Sequence, residues 1–330
     1  MKIILNKFSV LFIFLIVFAV GSCTKTPKIY KVGILCGMDA FANTIEGFKS
    51  KMNELGYIEG KNIIYEIKKT NSNRIDKEKI LSDFFDNKVD LIFTFPSEVT
   101  LAAKSHPKRE KIPLIFAHAV TDNTGLINSI SEPGNNLTGV RYPGPDLAVK
   151  RLETLLELAP DVKKVWVGYL KNYPTVSSQL ELIHSAAAKF NITIVEVPSN
   201  NAEDVITDLS QRRKSNSVGI DAILMIAEPL TAYPEVLKAL FKFASDYKLP
   251  LGGAFASESG YFPLFGIGPN NIEVGRQCAL LAKKILNGVP AGSIPVISAE
   301  SYLQINLKMA KELGINISDG ILKQASEIIQ

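Results

Sequence analysis

A chain of 330 residues, 46% of them apolar, is long enough for two ordinary domains with real cores. Its 37 Lys and Arg against 33 Asp and Glu leave a formal charge of only +4, which argues against a nucleic-acid footprint, since that needs basic residues clustered on one face. Lys68-Lys69 and Arg212-Arg213-Lys214 are short runs that read as solvated helix ends.

At the N-terminus, Lys2 and Lys7 precede an apolar run from Phe8 to Val20 that ends in Val20-Gly21-Ser22-Cys23. About 13 apolar residues are too few for a permanent membrane span, so residues 1–22 read as an export signal. A branched apolar residue, two small residues and a cysteine resemble a bacterial lipobox, which makes Cys23 the expected lipidation site and residues 23–28 a short tether. Losing Lys2 and Lys7 with the signal takes the formal charge from +4 to +2. The two other cysteines, Cys36 in an apolar strand and Cys278 in an apolar helix, are expected as buried thiols, because a core this large needs no staple.

The rest of the chain repeats one alternation. Ile29 to Leu35 is expected as a strand and Phe41 to Leu55 as a helix with Ile45, Phe48, Met52 and Leu55 on one face, closed by Gly56. Asn62 to Lys68 alternates like an edge strand; 77–85 is helical, 89–95 a strand and 98–105 a short helix. Ile112 to Ala117 is a buried strand, followed by a polar loop, a short amphipathic turn (Leu126, Ile127, Ile130) and the turn residues Pro133-Gly134-Asn135-Asn136. Leu137 to Tyr142 is the next strand. After Pro143-Gly144-Pro145 the pattern starts afresh, with helices at 147–158, 175–190, 202–211 and 235–247 and strands at 165–169, 192–197 and 222–226. Strands alternating with helices give right-handed βαβ units and parallel sheets covered on both faces. The fold class is therefore α/β, with two doubly wound parallel-sheet lobes.

The order Ile112-Pro113-Leu114-Ile115-Phe116, Thr121-Asp122, Gly125-Leu126-Ile127, Pro133-Gly134 and Thr138-Gly139-Val140, followed by Lys150-Arg151-Leu152-Glu153 and Leu155 to Pro160, resembles the substrate-binding family of ABC transporters that includes tryptophan- and tyrosine-uptake binding proteins. Glu46-Gly47-Phe48 with Leu55 to Asn62, Tyr261 to Pro269, Ala282 to Pro290, Ile294-Pro295-Val296 and Ile305 to Ala310 with Leu313-Gly314 agree with it. One loop departs: Asp122-Asn123-Thr124 leads straight to Gly125, where the family has a longer link facing the cleft. The resemblance implies three hinge crossings between the lobes, as in type I periplasmic binding proteins, with lobe 1 at 29–142 plus about 254–289 and lobe 2 at 143–253 plus about 290–330. It also implies a small-molecule ligand, plausibly an amino acid, ABC permease subunits as partners, and a monomer.

Chemistry-bearing motifs are sparse. Gly33 and Gly37 do not make a dinucleotide fingerprint, no phosphate loop or nucleophile elbow is present, and His106, His118 and His184 lack metal-ligand spacing. No cofactor, metal or catalytic residue is expected. Two other readings stay open: a ligand-sensing lipoprotein that contacts a signalling receptor, and a doubly wound enzyme.

Ligands of open α/β sheets sit outside the carboxyl ends of the strands. The candidate ligand-binding residues at those ends are Asp39, Phe41, Ser97, Glu98, His118 and Ala119 in lobe 1 and Tyr173, Glu228 and Phe255 in lobe 2. Ser97, at a helix start, suits a carboxylate; Glu228 suits an ammonium; Phe41 or Phe255 could stack on an aromatic ligand.

Overall fold

The structure, a computed structural model, describes residues 28–70, 74–109, 112–254 and 261–330. The signal, Cys23 and Phe255 therefore lie outside the described residues. In chain order the first part holds β1 (Tyr30–Cys36), α1 (Asn43–Glu54), β2 (Ile63–Lys69), α2 (Arg74–Asp86), β3 (Leu91–Phe95), α3 (Ser97–Ser105), β4 (Leu114–Ala119) and β5 (Leu137–Arg141). The second holds α4 (Gly144–Leu158), β6 (Lys164–Leu170), α5 (Val176–Lys189), β7 (Thr193–Ser199), α6 (Ala202–Lys214), β8 (Ala222–Met225), α7 (Pro234–Tyr247), β9 (Leu251–Gly253) and β10 (Phe265–Pro269). The remainder is α8 (Asn271–Leu286), β11 (Ile297–Ser298), β12 (Ser301–Asn306), α9 (Leu307–Leu313), α10 (Asp319–Gln324) and β13 (Ala325–Ile329).

Two sheets result. The first runs β11-β5-β4-β3-β1-β2 and the second β13-β12-β10-β9-β8-β6-β7. Every pairing is parallel except β10 with β12. The buried sheet strands are unbroken apolar runs: all five residues of β3 and all six of β4 are buried. Alternation survives only toward edges such as β2, where Ile64 and Ile67 are exposed. This is the pattern of sheets covered on both faces.

In lobe 1, α1 and α8 cover one face, through Ile45, Phe48 and Met52 and through Val274, Cys278, Leu281 and Ile285. Leu81 and Phe84 of α2 and Val99 and Ala103 of α3 cover the other. Lobe 2 places α4 and α5 on one face and α6 and α7 on the other, with Trp166 buried under the latter pair. Cys36 and Cys278 are buried free thiols.

The chain crosses between lobes three times, but the later crossings fall elsewhere than expected. Strand 265–269, assigned above to lobe 1, lies in the second sheet, whereas 291–298, assigned to lobe 2, returns to the first sheet as β11 beside β5. The crossings are thus near 142–144, 269–271 and 299–301. β10 stays with β9 as its parallel neighbour in the second sheet, and the helix after it carries the chain over. α8 must lie on α1, and it does so at glycines: a Cβ on Gly47 would stand 2.0 Å from the Ile272 carbonyl oxygen, and one on Gly275 2.1 Å from that of Thr44. Fully buried Arg151 braces the first two crossings. Its Nε and Nη2 donate to the Ile267 carbonyl at 2.9 and 2.6 Å, and Nη2 also donates to the Tyr142 hydroxyl.

Candidate functional site

In each sheet the strand order reverses at one point. It lies between β1 and β3 in lobe 1 and between β6 and β8 in lobe 2. Helices leaving the two central strands go to opposite faces there, so the carboxyl ends diverge and leave a crevice. The two crevices face each other across a cavity of about 460 Å³, within the range of small-molecule sites. Lobe 1 lines it with Met38, Ala40, Phe41, Asn43, Pro96, Ser97, His118 and Val120; lobe 2 with Tyr173, Thr175, Glu228, Pro229 and Thr231; the crossings with Tyr142 and Gly268 to Ile272.

Phe41 and His118 form one wall, stacked with ring centroids 4.6 Å apart. His118 reaches this position by breaking the strand. Its φ is +52°, and the β4–β5 register slips between Ala117 and Ala119. Its Nε2 lies 2.9 Å from the Thr44 hydroxyl. Burial pushes its pKa down to about 3, so the ring is neutral at ordinary pH. Ser97 is the first residue of α3. Its Oγ accepts from the Val120 N–H at 3.0 Å, which leaves the hydroxyl proton to donate elsewhere.

The opposite wall is built around buried acceptors. Glu228 Oε2 accepts from the Leu170 N–H at 3.0 Å and the Leu230 N–H at 2.9 Å, and Oε1 from the Thr231 N–H at 2.5 Å. Burial raises its pKa against these donors. Its lone pairs thus hold the loop after β8, which limits what it can offer a ligand directly. Gln179 holds the same loop from beneath. It exchanges two hydrogen bonds with the backbone of Ala227, at 3.0 and 2.9 Å, and donates to the Thr175 carbonyl at 2.8 Å.

Of the residues proposed from the sequence, Phe41, Ser97, His118, Tyr173 and Glu228 line the cavity. Asp39 does not: the short helical turn 39–41 points it to the surface, where it pairs with Lys69 at 2.9 Å. Ala119 is packed in the core, on the side of Leu126 and Leu137, because the distortion at His118 takes the cavity-facing position. Glu98 stands behind the wall, its Oε2 accepting from the Tyr173 hydroxyl at 3.0 Å. The departing loop at 122–124 turns away from the cavity, with Asp122 paired to Arg141 at 3.2 Å. Asn43, Thr175, Asn271 and Gln304 line the cavity without having been singled out. Asn271 carried a usable signal, since it follows an N-cap residue: the Asn270 side chain accepts from the N–H groups of Ile272 and Glu273.

Two doubly wound lobes, three crossings and a cavity between their switch points are the architecture of type I periplasmic binding proteins. The family model described as ABC transporter substrate binding protein matches residues 31–329, and the chain belongs to that family. It is 28% identical over 278 residues to a tyrosine-binding protein of Clostridioides difficile strain R20291, an alignment covering 81% of this chain and 75% of that protein. The crystal structure of a conserved domain protein from Vibrio cholerae O1 biovar El Tor is similar with a TM-score of 0.79 and 27% identity, over 91% of this chain and all of that one. An ABC domain from Streptococcus pneumonia in complex with L-Trp has the same fold, with a TM-score of 0.79 and 21% identity over 92% of this chain and all of that one. The protein is thus an extracytoplasmic binding component, not an enzyme, and its partners are a small molecule and the permease of an ABC transporter. Among the described residues no helix is long and apolar enough to cross a membrane.

Proposed function

We propose that the cleft binds an α-amino acid with an aromatic side chain and that the protein delivers it to an ABC importer as a monomer anchored to the cell membrane through lipid on Cys23. The observation that carries the ligand reading is the composition of the cavity wall. An aromatic face, Phe41 on neutral His118, stands beside a serine hydroxyl at the start of α3, and the described lining contains no Lys or Arg. An aromatic ring stacks on such a face with centroids about 4.5–7 Å apart. A carboxylate suits the Ser97 hydroxyl and the N-terminal N–H groups of α3, which lack a side-chain cap. Glu228 contributes negative potential on the far wall toward the ammonium. The tyrosine-binding relative supports the same class.

Titration calorimetry of the mature protein with L-tyrosine, L-tryptophan and L-leucine tests this. Binding of the aromatic amino acids well above L-leucine is expected, and Ser97→Ala is expected to weaken it about tenfold, or 1.4 kcal/mol. Absence of aromatic binding, or parity with L-leucine, sinks the reading. The anchor is tested separately: Cys23→Ser is expected to move the protein from the membrane to the soluble fraction, since acyl chains hold in proportion to their buried methylenes.

A further inference from the structure

Among the described residues, one hydrogen bond between side chains joins the lobes away from the crossing segments. Tyr173, in the turn after β6 of lobe 2, donates its hydroxyl proton to Glu98 Oε2 in the first turn of α3 of lobe 1, at 3.0 Å. The ion pairs of the described residues, by contrast, each join residues of a single lobe. The phenol ring lines the cavity, whereas the carboxylate does not. Glu98 Oε1 is buried without a hydrogen-bond partner, packed where a side chain on Gly37 would have to stand, 2.5 Å from its Cβ. A hydrogen bond from a phenol to a carboxylate is charge-assisted and gains strength where water is excluded. Each group has the other as its partner only while the lobes are together.

We propose that Glu98, which does not line the cavity, is a positioning residue that acts through Tyr173, and that this pair latches the lobes. The latch raises affinity by raising the fraction of molecules already in the binding-competent arrangement, because apparent affinity scales with that fraction. Tyr173 keeps its proton, since burial and the neighbouring Glu98 push its pKa well above the usual tyrosine value; it is a donor at any physiological pH.

Small-angle scattering of ligand-free protein decides the latch without reference to any ligand. Tyr173→Phe, which keeps the ring, and Glu98→Ala are expected to increase the radius of gyration. Glu98→Gln, whose carbonyl can still accept from the phenol, is expected to match wild type. The double variant Glu98→Ala with Tyr173→Phe should expand no further than either single one. With L-tyrosine as probe, which rests on the function proposed above, Glu98→Ala is expected to release ligand about tenfold faster while Glu98→Gln releases it at the wild-type rate. Wild-type dimensions in Tyr173→Phe and Glu98→Ala, or a Glu98→Gln protein as expanded as Glu98→Ala, would overturn the proposal. If wild type does not bind L-tyrosine, the ligand reading fails and the scattering result still stands on its own.

Discussion

The His118 imidazole Nε2 lies 2.9 Å from the Thr44 hydroxyl, so a ring that begins as an irregularity at the end of β4 is tied to the first turn of α1. It is enclosed on its faces and edges by Phe41 and Phe95, with centroids at 4.6 and 6.3 Å. Burial depresses its pKa to about 3, whereas in the unfolded chain it titrates near 6.5. Between those values only the unfolded state takes up the proton, so stability is complete above about pH 6.5 and is lost as pH falls toward 3. The slope contributed is at most about 1.4 kcal/mol per pH unit. His118→Asn, which tolerates the positive φ, is expected to flatten the decline of urea midpoints across this window in ligand-free protein. The raised carboxyls of Glu98 and Glu228 act in the opposite sense but are common to both proteins. Parallel curves would mean that His118 is not buried as a neutral base.

Glu228 holds the loop after β8 through three backbone donors, so its carboxylate matters to the ligand-free protein as well. In Glu228→Gln the amide nitrogen must face an N–H group, leaving buried donors unpaired at a cost of about 1–3 kcal/mol. Chemical denaturation without ligand is expected to show that loss, and an unchanged midpoint would dissolve the capping role.

Arg151 spans two crossings with a planar fork. A lysine ammonium at the same place cannot serve the Ile267 carbonyl from two positions and the Tyr142 phenol together. Arg151→Lys is expected to lose about 1.5–3 kcal/mol and to speed amide exchange at Tyr142, Gly144, Ile267 and Gly268. Exchange that rises evenly over the whole chain, or not at all, would contradict a local brace.

Gly275→Ala sets two effects against each other. Alanine favours a helix interior over glycine by about 1 kcal/mol, but here its Cβ meets backbone, 2.1 Å from the Thr44 oxygen and 2.7 Å from the Phe48 nitrogen. Backbone cannot swing aside, so α1 and α8 must part, and a net loss of about 1–3 kcal/mol is expected in thermal unfolding. A variant as stable as wild type would show that the helices sit farther apart.

The alternation of apolar strands and amphipathic helices was readable because each element carries its own period. The helix expected at 175–190 is observed at Val176–Lys189 and the one at 235–247 at Pro234–Tyr247. Strand carboxyl ends then located Phe41, Ser97, His118, Tyr173 and Glu228 at the cavity. What stayed hidden depends on partners far along the chain. A strand such as Phe265–Pro269 has no local mark of the sheet it joins, and Ile297–Ser298 is too short to have a period. Gly47 and Gly275 look like weak helix positions until the other helix is placed against them. The commitment of the Glu228 carboxylate to backbone donors is invisible in sequence, where a loop acid looks free.

Interleaving the lobes along the chain also dictates when each can be finished. The first sheet lacks α8 and β11 until residue 298 has been made, although its founding strand starts at Tyr30. The Tyr30 hydroxyl finally donates to the Leu286 carbonyl, 256 positions later. The second sheet in turn waits for β12 and β13 at the far end. Contacts of such span make closure slow, so a growing polypeptide of this design emerges with both hydrophobic interiors still open and completes them almost together.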